Sequence, residues 1–497
     1  MRLRNLLGTT ACCLLAGCSL LHPPSGEGIL TDAARAQIPA QWSGGHRRGQ
    51  VVPNWISTFG DPELSRLVEE AVINNPDLKA AAARVEASRA AVRVAASSLY
   101  PRIAVKQLGN RQGQNFGGDI GRGIDPPSIG GIPGVGDEGG SAGERNVESS
   151  SQRWVYGLGI GAAWEADVWG RVRSKKAAAQ AESDALAYDY EYARQSLAAA
   201  VARAYFSVIE ASQQAANAQE TLDLYQQYVK LTDTKKEQGH ASDFDVAQIK
   251  SRTASAQDAL YVAQAARAQA IRAIEVVTSH YPNGRLATRS SFPGQPRSVP
   301  AGLPAQLLER RPDIIAAERR FAAAFHRVGE AKAARLPRVA ISGTGGIGSA
   351  QLDGIGTLNA FTWSLAAGIT QPIFFGGELK AQQDIRTYEQ KAAAASYTAT
   401  ALRAFQDVED ALAADYYLGK REGALADVVE NSATTVKLGG EQFEQGQTDT
   451  FTTLRLAGEN LAARIQLTQI RASRLRERVN LHLALGGDFK GTGVLDK

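Results

Sequence analysis

Few residues in this 497-residue chain are of a type and spacing that could do chemistry. Gly343-Thr344-Gly345-Gly346-Ile347-Gly348 matches the glycine pattern that cradles a dinucleotide pyrophosphate. That chemistry needs a helix starting at once and an acidic ribose ligand about 20 residues on. A glycine-containing loop and another strand-like run follow instead, so the match is read as strand and loop. The six histidines (His22, His46, His240, His280, His326, His482) show no metal-ligand spacing, and no Ser/His/Asp arrangement suggests a triad. Asp243 and Asp245 follow Gly239, and Asp449 follows Gly446. Their chemistry is electrostatic. They can cap helices that start after a glycine turn, or, multiplied by oligomerisation, form a ring that attracts cations or holds a constriction closed. No catalytic, cofactor-binding or metal-binding site emerges, and the chain does not read as an enzyme.

All three cysteines, Cys12, Cys13 and Cys18, fall in the first 18 residues, so the body has no disulfide, thiolate metal site or cysteine nucleophile. Arg2 and Arg4 form a basic start, Leu6 to Ala16 an apolar run too short to span a bilayer, and Leu15-Ala16-Gly17-Cys18 ends it. Those four residues resemble a bacterial lipobox. Cleavage between Gly17 and Cys18 would make Cys18 an acylated N-terminus, and Ser19 behind it favours the outer membrane. No later segment has the roughly 20 apolar residues of a spanning helix. If the protein crosses a membrane, it must do so with strands closed into a barrel. Basic and acidic residues nearly balance at 55 and 51, which implies no broad face for nucleic acid.

The elements around these residues occur twice. The stretches 75–105 and 311–341 align without a gap at an offset of 236, with 11 of 31 positions identical. Pro76 and Pro312, each followed by Asp, open a helix. An Ala-rich run continues it, Pro101 and Pro337 end it, and Ile103/Val105 and Val339/Ile341 begin a strand. After Pro101 comes a Gly/Pro/Asn-rich stretch, roughly 109–150, that reads as a loop. In 154–164 the apolar Trp154, Tyr156, Leu158, Ile160 and Trp164 alternate with small residues, as do Phe361, Trp363, Leu365 and Ile369 later. Period two with aromatics at the ends fits lipid-facing strands with interfacial rings.

Each copy then enters a run without proline, 171–238 and 378–445, of 68 residues. Each would span about 100 Å as a helix, a length that points to coiled-coil-like packing. Gly239 and Gly446, 207 residues apart, mark tight turns, after which helices return through Val246–Val277 and Leu454–Leu485. Two strand hairpins at one end of very long helices, with glycine turns at the other, is the topology this order predicts.

The chain resembles the outer-membrane efflux proteins of the TolC/OprM/NodT type, in their lipoprotein branch. The resemblance rests on the lipobox, Trp55…Phe59…Asp61-Pro62, Asn75-Pro76-Asp77-Leu78, Asp167-Val168-Trp169-Gly170-Arg171 and Leu308-Glu309-Arg310-Arg311-Pro312-Asp313-Ile314. It continues through Ala331–Pro337, Gln371-Pro372-Ile373-Phe374 with Gly376-Gly377, and Leu483-Ala484-Leu485-Gly486-Gly487. Phe375 stands where family members commonly carry Asp or Asn. The resemblance implies a mainly α fold with a transmembrane β-barrel. In a homotrimer, four strands per chain make a 12-stranded barrel above a periplasmic α-helical barrel. It implies a passive outer-membrane exit duct for drugs or other small molecules, fed by a periplasmic adaptor and an inner-membrane pump. The Gly239 and Gly446 turns would contact the adaptor.

The resulting division is a signal peptide over 1–17, a tether over 18–61 and a first repeat over 62–280 with strands about 101–115 and 152–168. A Pro-rich linker over 281–303 leads to a second repeat over 304–487 with strands about 338–348 and 360–374, then a tail over 488–497. The rival reading is a lipid-anchored coiled-coil structural or adhesion protein of the envelope without a pore.

Overall fold

The computed structural model describes residues 23–24, 28–29, 38–44, 49, 51–116, 149–294, 299–349 and 361–488, and their side chains except those of 108–116, 149–156 and 349. Two compact units are present: a helical one (Met1–Ala95, Ser174–Ala331, Glu378–Lys497) and a strand one (Ala96–Arg173, Lys332–Gly377).

The helices, in chain order, are α1 (Pro62–Asn74), α2 (Pro76–Ser97), α3 (Arg171–Glu237), α4 (Asp243–Val277), α5 (Pro312–Ala333), α6 (Glu378–Glu444) and α7 (Thr450–Ala484). Asp61 caps α1, its carboxylate accepting from Glu63 N and Leu64 N, with Pro62 at the first helical position. The 67-residue α3 and α6 follow from runs of Ala, Leu, Glu, Gln and Lys without proline.

Three large apolar clusters hold the helical unit, beside a small one of Ala181, Ala322 and Ala323. One joins Trp55, Phe59, Leu64, Leu67 and Val68 to Val201, Tyr205, Val208 and Ile209, which share one face of α3, and to Ile274, Leu475 and Val479. A second joins Trp42, Ile314 and Phe321 to Tyr397, Ala401 and Val408 of α6 and Leu481 and Leu485. A third, beside the glycine turns in sequence, joins Leu222, Tyr225 and Tyr228 to Ile249, Leu260, Phe443 and Leu454. Leu64, Leu67 and Ile209 are fully buried, and each such side chain contributes about 1.5–3 kcal/mol.

The segment expected as a free tether is docked where it is described. Ile29 and Trp42 are core residues, and Trp42 Nε1 donates to Ala301 O at 3.3 Å. The backbone N–H groups of Ser43 and Gly44 both donate to the Glu409 carboxylate, at 2.7 and 2.9 Å. Gly44 is required there, because a Cβ would lie 2.8 Å from Leu412 Cβ. The linker after α4 is tied as well: Gly284, Arg285 and Leu286 donate backbone N–H bonds of 2.8 to 3.0 Å to buried Glu275.

The strand unit is one antiparallel meander, β1 (Arg102–Phe116), β2 (Ser149–Ala166), β3 (Arg338–Ser349) and β4 (Phe361–Thr370), hydrogen-bonded in that order. β1 runs into the stretch expected as loop because 149–155 of β2 pairs with it. β4 stops at Thr370, short of the expected 374, because its partner β3 begins at Arg338, just after Pro337. The helix ends also differ from expectation. α2 and α5 stop at Ser97 and Ala333, four residues before Pro101 and Pro337, not at the prolines. A proline four residues on supplies no N–H to the carbonyls of Ser97 or Ala333, so the α-helix ends there and Tyr100 N and Leu336 N close a tighter turn onto those carbonyls, both at 3.1 Å.

Candidate functional site

The sheet has two chemically opposite faces. The register places Ile103 and Val105 beside Ala162 and Ile160, and Leu158, Ile160 and Trp164 beside Ile347, Gly345 and Ile341. It continues through Val339–Ile369, Gly343–Leu365 and Ile347–Phe361. One face is therefore apolar across all four strands, since successive side chains alternate. That face is bare: Ile103, Val105, Trp363, Leu365 and Ile369 are between 67% and 73% exposed. The other face carries Arg102, Lys106, Ser342, Thr344, Ser364, Thr370 and a line of small residues, Gly157, Gly159, Gly161 and Ala163. Gly346 must be glycine, because a Cβ would meet Leu158 O at 2.8 Å. Among the described residues, both outer strands, β1 and β4, have an unpaired edge.

Tryptophans tie the joints into which α2 and α5 run. Trp164 Nε1 donates to Leu99 O at 3.0 Å and Trp169 Nε1 to Pro337 O at 2.7 Å. Gln371 donates to Arg335 O at 3.2 Å. Trp164 was legible as an interfacial ring, but its hydrogen bond to the Pro101 joint was not. Trp169 carried a signal only as part of a motif.

The two glycine turns have the same backbone. Gly239 and Gly446 take φ of +77° and +74°, which favours glycine. His240 N donates to Lys235 O at 2.7 Å and Gln447 N to Gln442 O at 2.8 Å, each closing the preceding long helix with a six-residue bond. The acids beyond them are committed to helix starts. Ser242, not an aspartate, is the N-cap of α4, and Asp245 completes a capping box with it. The Ser242 hydroxyl and backbone N–H hold the Asp245 carboxyl below its usual range. Asp449 is the N-cap of α7, accepting from Thr452 N at 2.7 Å. Asp243 pairs with Lys236 at 2.6 Å and stays exposed. Gly17 and Cys18 lie outside the described residues.

Charged groups buried in the helical unit are structural. Arg311 is 4% exposed. Its guanidinium takes Asp313 with two bonds, of 2.8 and 3.0 Å, and Asp407 at 3.0 Å. Arg478 pairs with Asp415 at 2.6 Å. Among the described residues no group of three or more metal-ligating side chains converges, and no helix is long and apolar enough to cross a membrane.

The comparisons agree with this geometry. The family model described as outer membrane efflux protein matches residues 67–279 and 303–487. The toluene efflux pump outer membrane protein TtgF of Pseudomonas putida is 31% identical over 486 residues, covering 96% of this chain and 95% of that one. Outer membrane protein OprJ of Pseudomonas aeruginosa is 30% identical over 472 residues, covering 91% of each. The open-state structure of the Neisseria gonorrhoeae MtrE outer membrane channel superposes with a TM-score of 0.79 at 25% identity, covering 95% of this chain and 98% of that one. These relatives support a channel and not the pore-free adhesin. With its duplicated long helices and its sheet bare on an apolar face, the chain belongs to the outer membrane efflux protein family.

Proposed function

We propose that this outer-membrane efflux channel is a homotrimeric exit duct, anchored by acylation at Cys18 and fed by a periplasmic adaptor and an inner-membrane pump. The sheet carries this reading: an apolar exposed face, a polar opposite face and two unpaired edges. Unpaired backbone groups cannot face hydrocarbon, and the smallest single-chain barrels use about eight strands. Four strands must therefore find further copies, and three copies close a 12-stranded barrel with the apolar face to lipid and the polar face to a lumen. In this reading conduction is passive, driven by the inner-membrane pump. Substrates are small molecules delivered by the pump; relatives named for toluene and antibiotic efflux fit a duct that does not itself select strongly.

The glycine turns with their capped acids are the adaptor-facing tips in this reading. Asp243, Asp245 and Asp449 together form the cation-attracting ring, in which Asp243 is offset by its pair with Lys236.

The test is reconstitution. Purified protein should migrate as a trimer in detergent and conduct in planar bilayers; a monomer without conductance overturns the duct. Deletion in the native host should raise susceptibility to pumped compounds. Neutralising Asp243, Asp245 and Asp449 should change cation preference; unchanged conductance and selectivity would remove the ring from the mechanism. Cys18→Ser should abolish labelling by palmitate.

A further inference from the structure

Lys106, Arg102 and Arg338 share the polar face of the sheet, near the strand ends that adjoin the helices in sequence. Arg102 opens β1 beside Ala163, Lys106 lies beside Gly159, and Arg338 opens β3 beside Thr370. Small residues surround them: Gly159, Gly161, Ala163, Ala340 and Gly346 occupy neighbouring positions on the same face. All three basic side chains are exposed.

The carboxylates that could balance them are already taken. Among the described side chains of the strand unit the acids are Glu165 and Asp167. Glu165 receives Arg171 through two bonds, of 2.8 and 2.9 Å. Asp167 accepts from Val172 N and Arg173 N, both at 2.9 Å, and from Arg173 Nε at 3.2 Å. Each acid has its own arginine. Among the described side chains Arg102 donates to the neutral hydroxyl of Ser98, at 3.4 Å. The face is left with three cations and one carboxylate, Glu165, which Arg171 already holds and whose charge Arg338 also feels.

We propose that Arg102, Lys106 and Arg338 form a cationic collar that makes the barrel section of the duct favour anionic permeants. The proposal rests on the duct reading, in which this face lines the lumen. Threefold repetition gives the collar three copies of each cation around one passage. Rings of Lys and Arg select anions, and low-dielectric walls focus their field. The short side chains around them leave the ammonium and guanidinium groups as the largest polar features of the face. The collar would act on permeants independently of the acids beyond Gly239 and Gly446, which are of opposite sign.

The experiment is the reversal potential of the full-length protein in planar bilayers under a KCl gradient. It compares wild type with the triple variant Arg102→Gln, Lys106→Gln, Arg338→Gln. The chloride-to-potassium permeability ratio should fall about sevenfold in the variant, since one kT of potential favours the anion and disfavours the cation by about 2.7-fold each. A Lys106→Arg variant should keep the wild-type ratio. Equal ratios in wild type and triple variant, with conductance present in both, overturn the collar and leave the duct standing. Absence of conductance in the wild type overturns the duct itself. A second readout does not need conduction. Thr344→Cys places a thiol on the same face of a body that otherwise lacks cysteine beyond Cys18. With each rate taken relative to the same reagent's rate on a free thiol, an anionic methanethiosulfonate should be favoured there over a cationic one, and the preference should vanish in the triple-variant background. Equal relative rates in both backgrounds overturn the collar.

Discussion

The ends of α4 and α7 are the same place in two copies of one design, and they use opposite chemistry. The two helices correspond residue for residue at an offset of 207, from Asp243/Thr450 to Val277/Ala484. Both end with the same six-residue bond, His280 N to Glu275 O at 2.7 Å and Gly487 N to His482 O at 2.9 Å. Both receive a side chain from the residue that precedes the helix-opening proline: Asn75 Nδ2 donates to Val277 O at 3.4 Å, and Arg311 Nη1 to Ala484 O at 3.4 Å. The backbone scheme is shared. In the first copy Asn75 also caps its own helix, its Oδ1 accepting from Asp77 N and Leu78 N. In the second copy a guanidinium cannot accept, so Arg311 joins the helix start to α6 through Asp407 instead. The buried residue of the helix end differs likewise. Glu275 is a carboxylate wrapped by backbone N–H groups, and His482 is a neutral ring stacked on Trp55 at 5.5 Å. A duplicated backbone constrains where a side chain goes and leaves open what holds it.

Breaking the second copy should cost most. Arg311→Met leaves Asp313 and Asp407 without their cation and should destabilise the helical unit by about 4 kcal/mol, read as a fall in the thermal midpoint of detergent-solubilised protein. Arg311→Asn, which imitates the first copy, should recover only the small capping part of that loss.

The next effect is a pH slope confined to the second copy. Burial, and then the charge of Arg478, push the His482 pKa down to about 4. The unfolded chain therefore takes up a proton near pH 6.5 while the folded one stays neutral. Stability should fall as pH drops from about 6.5 to about 4 and level off below, a total near 3 kcal/mol. His482→Phe should flatten that slope in a pH series of unfolding midpoints; an unchanged slope would show that His482 is not its source.

Glu275 has the opposite sign of environment. Burial acts to raise its pKa, but the N–H groups of Gly284, Leu286 and Arg285 outweigh it and hold the carboxyl below its usual range. Its contribution is complete above the ordinary glutamate pKa of about 4.3 and is lost as pH falls through the depressed folded value. Glu275→Gln should release the linker by about 2 kcal/mol, since it replaces charge-assisted bonds with neutral ones. Hydrogen exchange at Gly284–Leu286 would report it, and the second copy should not respond. Smallest of the set, Asn75→Ala removes one helix cap together with the bond to Val277 O and should cost about 1 kcal/mol, seen as faster exchange in the first turn of α2.

Much of the candidate site was legible because it is periodic or local. The parity of Leu158, Ile160 and Trp164 and of Phe361, Trp363 and Leu365 marks one face of a strand whatever the strand pairs with. Gly239 and Gly446 announce their turns because a positive φ favours glycine. Capping was one of two roles open to the acids after the glycine turns; Asp449 takes it, and in the first copy it falls to Ser242, one residue before Asp243, since Ser and Asp both accept from a helix start. The docking of Trp42, Ser43 and Gly44 was not legible. Glu409 lies more than 360 residues away, and nothing in a polar, Gly-rich stretch announces a partner at that range.

The sequence by itself determined the duplication, the positions where helix must yield to strand, the two-sided character of the strands and the glycine turns. Those properties are written in spacing, proline and glycine, and act within a few residues. The tertiary structure decided which side chains of the matching positions became buried and what they met there. Glu275 and His482 look alike in sequence context, as late residues of an amphipathic helix. Only the packing of the linker on one and of Trp55 on the other turned the first into a held carboxylate and the second into a neutral ring, because burial and hydrogen-bond donors are supplied by distant chain.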